Sequence, residues 1–260
     1  MTLLFYAFAR ELAPLKRRLK SRRAIDDTSL RGFRAHLGAN EIIGVATGIG
    51  FARTQIAARR AFDLFPDADL VLGTGVAGAL SSGLSAGDLI VPDRILSSRA
   101  EDDAAEQVAA IDDAVLSELG RCLRAAGISY STGALLTSHR VLGTSADKRA
   151  MKENAGAIAV DMETAALALE ARARGVRFAV VRAVMDTVDD EVVGAEMADE
   201  NGAVRPLHAA SFLLRNPRVV ARLPRMMQSL SRATHALAVA LEAIAMHYSK
   251  PAIRARRENP

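Results

Sequence analysis

The chain has 260 residues with no visible linker, so residues 1–260 are predicted to form one domain large enough for a substantial core. Half of the residues are hydrophobic, but only 4% are aromatic and none is Trp, which favours an Ala-, Val-, Leu- and Ile-rich core of the kind found in α/β proteins. The single cysteine, Cys122, excludes an internal disulfide and a cysteine-based metal cluster. We expect a buried structural thiol there, in a protein of the reducing cytoplasm.

The formal net charge is only +4, but basic residues are concentrated at residues 16–23 and 254–258. Such runs attract nucleic acid or anionic membranes, although they more often form solvated surfaces or frayed ends, and we favour that second interpretation. The apolar run at the start is short and no basic region precedes it, so neither a signal peptide nor a membrane span is predicted. We expect a cytoplasmic protein, with peripheral contact at the inner membrane as an alternative.

Short apolar runs alternate with longer segments of helical periodicity along the chain. Seven strands are predicted to begin at Leu3, Glu41, Ala68, Asp88, Ser131, Gly156 and Arg177. Six helices are predicted to begin near Glu11, Phe51, Asp112, Ser145, Met162 and Asn216. For the helix near residue 145, Thr144 or Ser145 is the expected N-cap and Gly156 the expected C-terminal stop. This alternation predicts an α/β fold around a mixed, mostly parallel twisted sheet.

The last part of the chain differs in character. Residues 206–248 are predicted to form a helical extension that is interrupted at Pro217 and Pro224 and packs across the sheet edge. Residues 249–260 are predicted to form a basic, flexible tail. The extension carries an apolar stripe with arginines on its other faces, made of Val219, Leu223, Met226, Met227 and Leu230 beside Arg218, Arg222, Arg225 and Arg232. Core packing or a subunit interface is favoured over membrane contact.

Two glycine-rich turns follow strands. Residues 73–78, GTGVAG, match the spacing of a dinucleotide-binding fingerprint, but a loop and another strand follow where that motif needs a helix, so we reject this interpretation. The turn Thr47-Gly48-Ile49-Gly50 does lie between a strand and a helix. Its backbone N–H groups are candidates to bind an anion or a sugar hydroxyl, and an ordinary tight turn is the equal alternative.

Two carboxylates follow neighbouring strands near the middle of the chain. Glu163 comes as one strand ends and an Ala-rich helix begins, and Asp186 ends the next strand. Open α/β sheets bind ligands at the carboxyl ends of their strands, although acids also favour such positions for structural reasons.

Cleavage of a purine nucleoside needs two different acidic groups. Departure of the base leaves positive charge on the ribose and negative charge on the purine. An acid kept protonated by an apolar setting can protonate the base, and Asp186, between Met185 and Val188, fits that role. A carboxylate that stays ionised at a helix start can bind ribose hydroxyls near the cation, and Glu163 fits that one.

The ordered motifs T-G-I-G, GTGVAGAL, AGDLIVPD, AVDMETAA and VRAVMD resemble the purine nucleoside phosphorylase and nucleosidase superfamily, particularly its methylthioadenosine/adenosylhomocysteine nucleosidase-like branch. This resemblance, from Leu3 to about Asp189, implies a three-layer α/β/α sandwich. It implies that Met162 packs on the ribose, that Glu163 binds the ribose hydroxyls, and that Asp186 protonates N7 of the purine. It further implies a base-binding set of Val141, Leu142, Gly75 and Val160.

The C-terminal stretch ENGAVRPLHAASFLLRNPRVVARLPRM resembles, more loosely, the hopanoid-associated phosphorylases. Those proteins are thought to remove adenine from adenosylhopane, a lipid-linked nucleoside, to leave ribosylhopane or phosphoribosylhopane. The apolar 5′ substituent of such a substrate would explain the basic amphipathic extension. A housekeeping methylthioadenosine/adenosylhomocysteine nucleosidase and a non-catalytic nucleoside-binding protein are the alternatives.

The attacking group, water or phosphate, is left open by the sequence. Glu11 falls where nucleosidases of this superfamily have a water-activating glutamate, although it also suits an ordinary helix start. The arginine and serine that phosphorylases often carry near residues 73–76 are absent, so Arg10 and Arg53 are the candidate phosphate contacts, together with Thr47, Gly48 and Gly50.

The remaining expectations concern the base loop and the partners. His139 and Arg140 stand where small or acidic residues are commoner in the resembling proteins, and an exposed, non-catalytic His139 is favoured. No metal or organic cofactor is implied, and phosphate would be a cosubstrate. The partners expected are a small or lipid-linked purine nucleoside, no nucleic acid, and further copies of this chain in a homo-oligomer.

Overall fold

A computed structural model describes residues 1–37, 40–99, 101, 103–192 and 217–247 of the chain. The strands are β1 Thr2–Tyr6, β2 Lys20–Ala24, β3 Gly32–Leu37, β4 Asn40–Ala46, β5 Leu70–Ala79, β6 Leu89–Ile90, β7 Arg94–Ser98, β8 Ala105–Ala110, β9 Ala134–Thr137, β10 Ala159–Asp161 and β11 Arg177–Asp186. The helices are α1 Ala13–Lys16, α2 Phe51–Leu64, α3 Asp113–Ala125, α4 Ser145–Ala155, α5 Thr164–Ala173 and α6 Pro217–His247.

These strands form a single mixed sheet of 11 strands within the described ranges. The strands β4, β1, β5 and β11 run parallel in its middle, and β10, β9 and β7 form a second parallel group. The antiparallel pairs are β2 with β3, β3 with β4, β5 with β10, β6 with β11 and β7 with β8. The long strand β5 joins the two parallel groups, because it pairs with β1 near its start and with β10 at its end.

Side chains that alternate along the central strands build a core on each face of the sheet. In β1, Leu3 and Phe5 pack with the α2 residue Phe62 on one face, whereas Leu4 and Tyr6 belong to the cluster on the other face. That second cluster includes buried residues of α3 and α6. The expected three-layer α/β/α sandwich is therefore confirmed.

Local sequence sets the ends of several helices. Thr144 caps α4 in a capping box with Asp147, and Gly156 ends that helix in the left-handed conformation, as predicted. The Asp112 carboxylate accepts the N–H groups of Ala114 and Val115 at the start of α3.

All seven predicted strands and all six predicted helices are present in the fold, although β6 has only two residues and α1 only four. Four strands were not predicted: β2, β3, β7 and β8. The rejection of the dinucleotide fingerprint is confirmed, because residues 73–78 lie inside β5 with no helix directly after them. Cys122 is buried in the core and forms no disulfide, as expected.

The C-terminal helix corrects two expectations. Pro217 begins α6, but Pro224 lies inside a continuous helix and does not interrupt it. The helix also packs over the face of the sheet against β11 and β5, and not across its edge, because Leu237, Leu241 and Ile244 complete the core there. Its first half is largely exposed from Arg222 to Arg232.

The expectations for residues 206–216 and for the tail at 249–260 lie outside the described residues, as do those for the side chains of Arg218 and Val219. No helix in the described ranges is sufficiently long and apolar to cross a lipid bilayer.

Candidate active site

The ends of three neighbouring strands bring the predicted carboxylates to one region of the sheet. In the register, Gly78 of β5 pairs with Val160 of β10 on one side and with Asp186 of β11 on the other. Glu163 lies two residues beyond the end of β10, directly before α5. The two carboxylates singled out from the sequence therefore belong to the same region.

A buried ion pair lies at the centre of this region. Arg182 of β11 places Nη2 2.5 Å from an oxygen of Asp161, and each side chain is 1% exposed. The same guanidinium donates to the Thr74 carbonyl at 3.0 Å and to the Thr164 hydroxyl at 2.9 Å. The Asp161 carboxylate also accepts the N–H of Thr164 at the start of α5, where an anion is favoured. These contacts make Arg182 and Asp161 a fixed support beneath the site.

Glu163 is held against the glycine-rich turn that precedes α2. Its Oε1 accepts the N–H of Gly50 at 2.8 Å, and Oε2 accepts the N–H of Met162 at 3.4 Å. Arg182 lies 3.9 Å from the same carboxylate. Burial and the neighbouring Asp161 charge nevertheless raise the pKa of Glu163 to about 7. The ionised Glu163 expected from the helix start therefore becomes the dominant form only above about pH 7, because desolvation opposes these favourable contacts.

Glu11 lies beneath the same region, 1% exposed, before α1. Its carboxylate accepts the N–H groups of Ala7 at 2.7 Å, Phe8 at 3.1 Å and Val76 at 2.9 Å. Burial raises its pKa, and the charge of Arg182 opposes that shift. Glu11 is therefore a buried carboxylate at the candidate site, and not a solvent-exposed acid at a helix start.

Gly75 allows Glu11 and Arg182 to approach one another. Its φ is +141°, and a Cβ atom built on it would lie 2.4 Å from both Glu11 Oε1 and Arg182 Nη1. A side chain has no room at this position. Gly75 therefore borders the carboxylate–arginine cluster.

The turn Thr47–Gly50 supports Glu163, and its two glycine N–H groups are already hydrogen bonded. The N–H of Gly48 donates to the Ala7 carbonyl at 3.0 Å, and that of Gly50 donates to Glu163. The Thr47 hydroxyl donates to the Gly48 carbonyl at 2.7 Å. These two N–H groups are thus engaged with protein acceptors and not presented to an anion.

Of the two candidate phosphate-binding arginines, Arg53 is the better placed. A Cβ on Gly48 would lie 3.3 Å from the Arg53 Cδ, so this side chain packs along the turn that holds Glu163. Arg10 is exposed. Within the described ranges, no group of three or more His, Cys, Asp or Glu side chains is arranged to hold a metal ion.

Asp186 lies at the end of β11, with its side chain 14% exposed. A Cβ on Gly78 would come 2.9 Å from Asp186 Oδ2 and 3.4 Å from Val160 Cγ1, so the carboxyl lies beside that apolar side chain. Burial raises the pKa of Asp186, while the ammonium of Lys148, with which it forms an ion pair, opposes the shift. Asp186 therefore keeps its proton to higher pH than an ordinary aspartate does.

The loop between β9 and α4 contains the remaining predicted residues. Leu142 is buried in one cluster with Val160, whereas Val141 is 38% exposed. Arg140 pairs with Asp103 at 2.7 Å and with Asp147 at 3.2 Å, which fixes the loop. The exposed His139 stacks on Phe51, with 5.4 Å between ring centroids.

A cavity of about 220 Å³ lies beside Asp186. It is lined by Met185, Asp186 and residues 189–192 on one side, and by Arg222, Arg225, Met226 and Ser229 of α6 on the other. The exposed half of α6 therefore reaches the neighbourhood of the acid.

Three functional neighbours were not singled out from the sequence: Asp161, Arg182 and Lys148. A signal for Arg182 was present, since it is one charge in the otherwise apolar run AVVRAVM. Lys148 gives no such signal in a polar helix, because its burial depends on contacts distant in sequence.

A three-layer α/β/α sandwich with carboxylates gathered at the ends of its strands is typical of α/β enzymes that bind small molecules there. Residues 3–214 match the phosphorylase superfamily, and the chain belongs to that superfamily.

Relatives and solved structures agree with this assignment. The 5′-methylthioadenosine/S-adenosylhomocysteine nucleosidase of Staphylococcus epidermidis is 26% identical over 191 residues, which cover 69% of this chain and 83% of the relative. The S-adenosylhomocysteine nucleosidase of Streptococcus pyogenes, in complex with 5-methylthiotubericidin, has a TM-score of 0.68 at 21% identity and covers 93% of this chain and 95% of that chain. The futalosine hydrolase of Helicobacter pylori has a TM-score of 0.68 at 16% identity, with coverages of 93% and 97%. The expected superfamily is confirmed, and relatives named as nucleosidases support an enzyme that cleaves N-glycosyl bonds.

Proposed function

We propose that this chain cleaves the N-glycosidic bond of a purine nucleoside and releases adenine. The observation that carries the proposal is an unequal pair of carboxylates: the buried Glu163 is held by backbone N–H groups, and the largely buried Asp186 shares the space over Gly78 with Val160. The staphylococcal relatives, named as nucleosidases of methylthioadenosine and adenosylhomocysteine, support the same class of reaction.

Asp186 acts as the general acid. As the C–N bond breaks, its electron pair moves onto the purine, and the Asp186 O–H bond breaks as an N–H bond forms at N7. Burial favours the protonated acid that this step needs, and such help contributes about 10² to 10⁴ in rate. The apolar surroundings of the base are formed by Val160, Val141 and Leu142. Gly75 lies beneath the ribose.

Glu163 acts on the ribose in its ionised form. The N–H groups of Gly50 and Met162 orient its carboxylate, which accepts hydrogen bonds from the ribose hydroxyls and lies near the positive charge that develops on the sugar. The Met162 side chain packs on the ribose. Because burial raises the pKa of Glu163 to about 7, the ionised form becomes dominant above that pH.

Water is the nucleophile that the site supports best. Glu11 is a buried carboxylate with a raised pKa, and such a group can accept a proton from water. A phosphate would need Arg53 or Arg10, since the N–H groups of Gly48 and Gly50 already have acceptors. Neither route uses a metal or an organic cofactor, and phosphate would enter only as a cosubstrate.

For the 5′ substituent we favour adenosylhopane, which would yield ribosylhopane when water attacks. The first half of α6 exposes Arg222, Arg225 and Met227, and the cavity beside Asp186 is lined by its Arg222, Arg225 and Met226. A basic amphipathic surface so close to the acid would allow a lipid-linked nucleoside to be drawn from a membrane at which the enzyme is peripherally bound. The relatives favour methylthioadenosine or adenosylhomocysteine as the alternative substrate.

The proposal is tested by incubating the purified protein with adenosylhopane and with methylthioadenosine, each with and without phosphate, and measuring free adenine. We expect adenine from adenosylhopane without phosphate. Adenine from methylthioadenosine alone would eliminate the hopanoid substrate, and strict dependence on phosphate would eliminate water as the nucleophile. Release from neither substrate would contradict the proposed reaction and favour a nucleoside-binding protein. Size-exclusion chromatography with light scattering tests the expected homo-oligomer.

A further inference from the structure

Lys148 is a buried cation that the proposed reaction does not yet use. It lies in the first turns of α4 and is 1% exposed, although a lysine on a polar helix normally extends into water. Its ammonium contacts Asp186 Oδ2 directly and donates to the carbonyls of Thr187 at 2.7 Å and Asp190 at 2.9 Å. Three acceptors therefore satisfy the three N–H bonds of this ammonium group.

The two carbonyls that accept from Lys148, those of Thr187 and Asp190, belong to the loop that follows Asp186. Lys148 therefore connects this loop to the Asp186 carboxyl. The same loop is closed by Asp190, whose carboxylate accepts the N–H and the hydroxyl of Thr187 at 2.9 Å and 2.7 Å. Arg225 of α6 pairs with Asp190 at 3.2 Å. Arg149 pairs with the exposed Asp189.

Among these groups, Lys148 is the cation in direct contact with the Asp186 carboxyl. The charge of Asp190 also acts on Asp186, in the opposite direction. The cationic groups of Arg225 and Arg149 are each paired with another acid of the loop. Burying an ammonium group is costly unless it is paired and hydrogen bonded, so the contact with Asp186 is a specific feature of this fold.

We propose that Lys148 is a positioning residue for the general acid, which holds Asp186 Oδ2 so that the other carboxyl oxygen faces the purine. This inference rests on the proposed function. When Asp186 gives its proton to N7, a carboxylate remains in a buried site, and the adjacent ammonium stabilises that charge. Lys148 therefore makes Asp186 a stronger acid without touching the substrate.

The pH profile distinguishes this role from a purely structural one. The general acid must be protonated, so kcat/KM falls as pH rises through the pKa of Asp186. Loss of an adjacent positive charge raises that pKa, and an opposite charge at this range shifts a carboxyl by about one to three units. In Lys148→Met, we expect the alkaline limb of the profile to move upward by about one to three pH units, and kcat to fall more than KM changes.

Lys152→Met is the matched control, because Lys152 lies one turn further along α4 and donates to the carbonyls of Gly156 and Ala157. It should keep the wild-type profile. Lys148→Arg, which retains the charge, should restore most of the original position of the limb. If Lys148→Met is folded and active but the alkaline limb of its kcat/KM profile lies at the same pH as in the wild type, the proposal is overturned.

A second measurement does not depend on activity. Urea unfolding of Lys148→Met, Asp186→Asn and the double variant measures their coupling. Asp186→Asn leaves the buried Lys148 ammonium without its acidic partner, and Lys148→Met removes the cation from the Asp186 carboxyl, so we expect the double variant to lose less than the sum of the two single losses. Additive losses would show that Lys148 and Asp186 do not interact and would overturn the inference, whether or not the wild type releases adenine. A wild type that releases no adenine would instead contradict the proposed function.

Discussion

Three carboxylates share one guanidinium at the buried centre of the site. Glu11, Asp161 and Glu163 all act electrostatically on Arg182, which is closest to Asp161. Full ionisation of all three acids would leave net negative charge in a medium that solvates it poorly. Burial raises the pKa of both Glu11 and Glu163, and the Asp161 charge raises that of Glu163 further, whereas the pair of Asp161 and Arg182 serves as the fixed scaffold.

This arrangement makes stability depend on the protonation of Glu163. Its pKa is 4.5 in the unfolded reference and about 7 in the fold, so its favourable contribution is complete below about pH 4.5 and is lost as pH rises through 7. Between pH 5 and pH 8, we expect the wild type to lose about 2 to 3 kcal/mol more stability than Glu163→Gln. Urea unfolding of both proteins at the two pH values measures this difference. Parallel pH dependence would show that Glu163 is already ionised at pH 5.

Among the elements, β5 carries the strictest steric requirement. A Cβ at Gly75 would meet both Glu11 and Arg182, and its φ disfavours any other residue. We expect Gly75→Ala to cost roughly 2 kcal/mol or more, through strain and overpacking, and to lower the rate of adenine release. Gly83→Ala, where nothing lies within 4 Å of the new Cβ, should change the free energy of unfolding by less than about 0.5 kcal/mol. Equal effects of the two variants would contradict the close approach at Gly75.

The helix α6 is anchored by its second half. Leu237 is fully buried against the sheet, whereas Met227 in the first half is 48% exposed. We expect Leu237→Ala to destabilise the protein by about 2 to 5 kcal/mol and Met227→Ala by less than about 0.5 kcal/mol. Thermal and urea unfolding measure both. A large loss for Met227→Ala would mean that another surface covers the first half of α6 in solution.

The strands β2, β3 and β8 were not predicted from the sequence, and the physical reason differs from one strand to the next. β2 reads KSRRA and all five residues are exposed, so only its ladder with β3 defines it. β8 is a largely exposed edge strand without a continuous apolar side. β3, however, buries Phe33, Ala35 and Leu37 and exposes Arg34 and His36 between them, and this period of two in the sequence indicates a strand. Proline usually breaks a helix, but α6 continues through Pro224 because the packing of the rest of the helix stabilises it.

For the whole molecule, the fold class could be predicted from the sequence, but the electrostatics of the candidate site could not. The sequence places Asp186 and Glu163 at strand ends, but β10 runs antiparallel to β5 and β11 runs parallel to it, so the two acids meet because both strands pair with the end of β5. The pKa of Glu163 could not be predicted, since it depends on burial and on Asp161 and Arg182 packed beside it. Lys148 of α4 contacts Asp186, which is 38 residues away in sequence, and local sequence patterns cannot predict a contact over that separation.

The central claim is that the largely buried Asp186 carboxyl protonates the departing base. The most direct test is the rate of adenine release by the wild type, Asp186→Asn and Asp63→Asn on the substrate that the wild type prefers. Asp63 is 57% exposed near the end of α2 and does not line the cavity beside Asp186, so it provides the control. We predict that Asp186→Asn loses about 10² to 10⁴ in kcat/KM while Asp63→Asn keeps the wild-type rate. An Asp186→Asn protein that is folded and releases adenine as fast as the wild type would contradict the account.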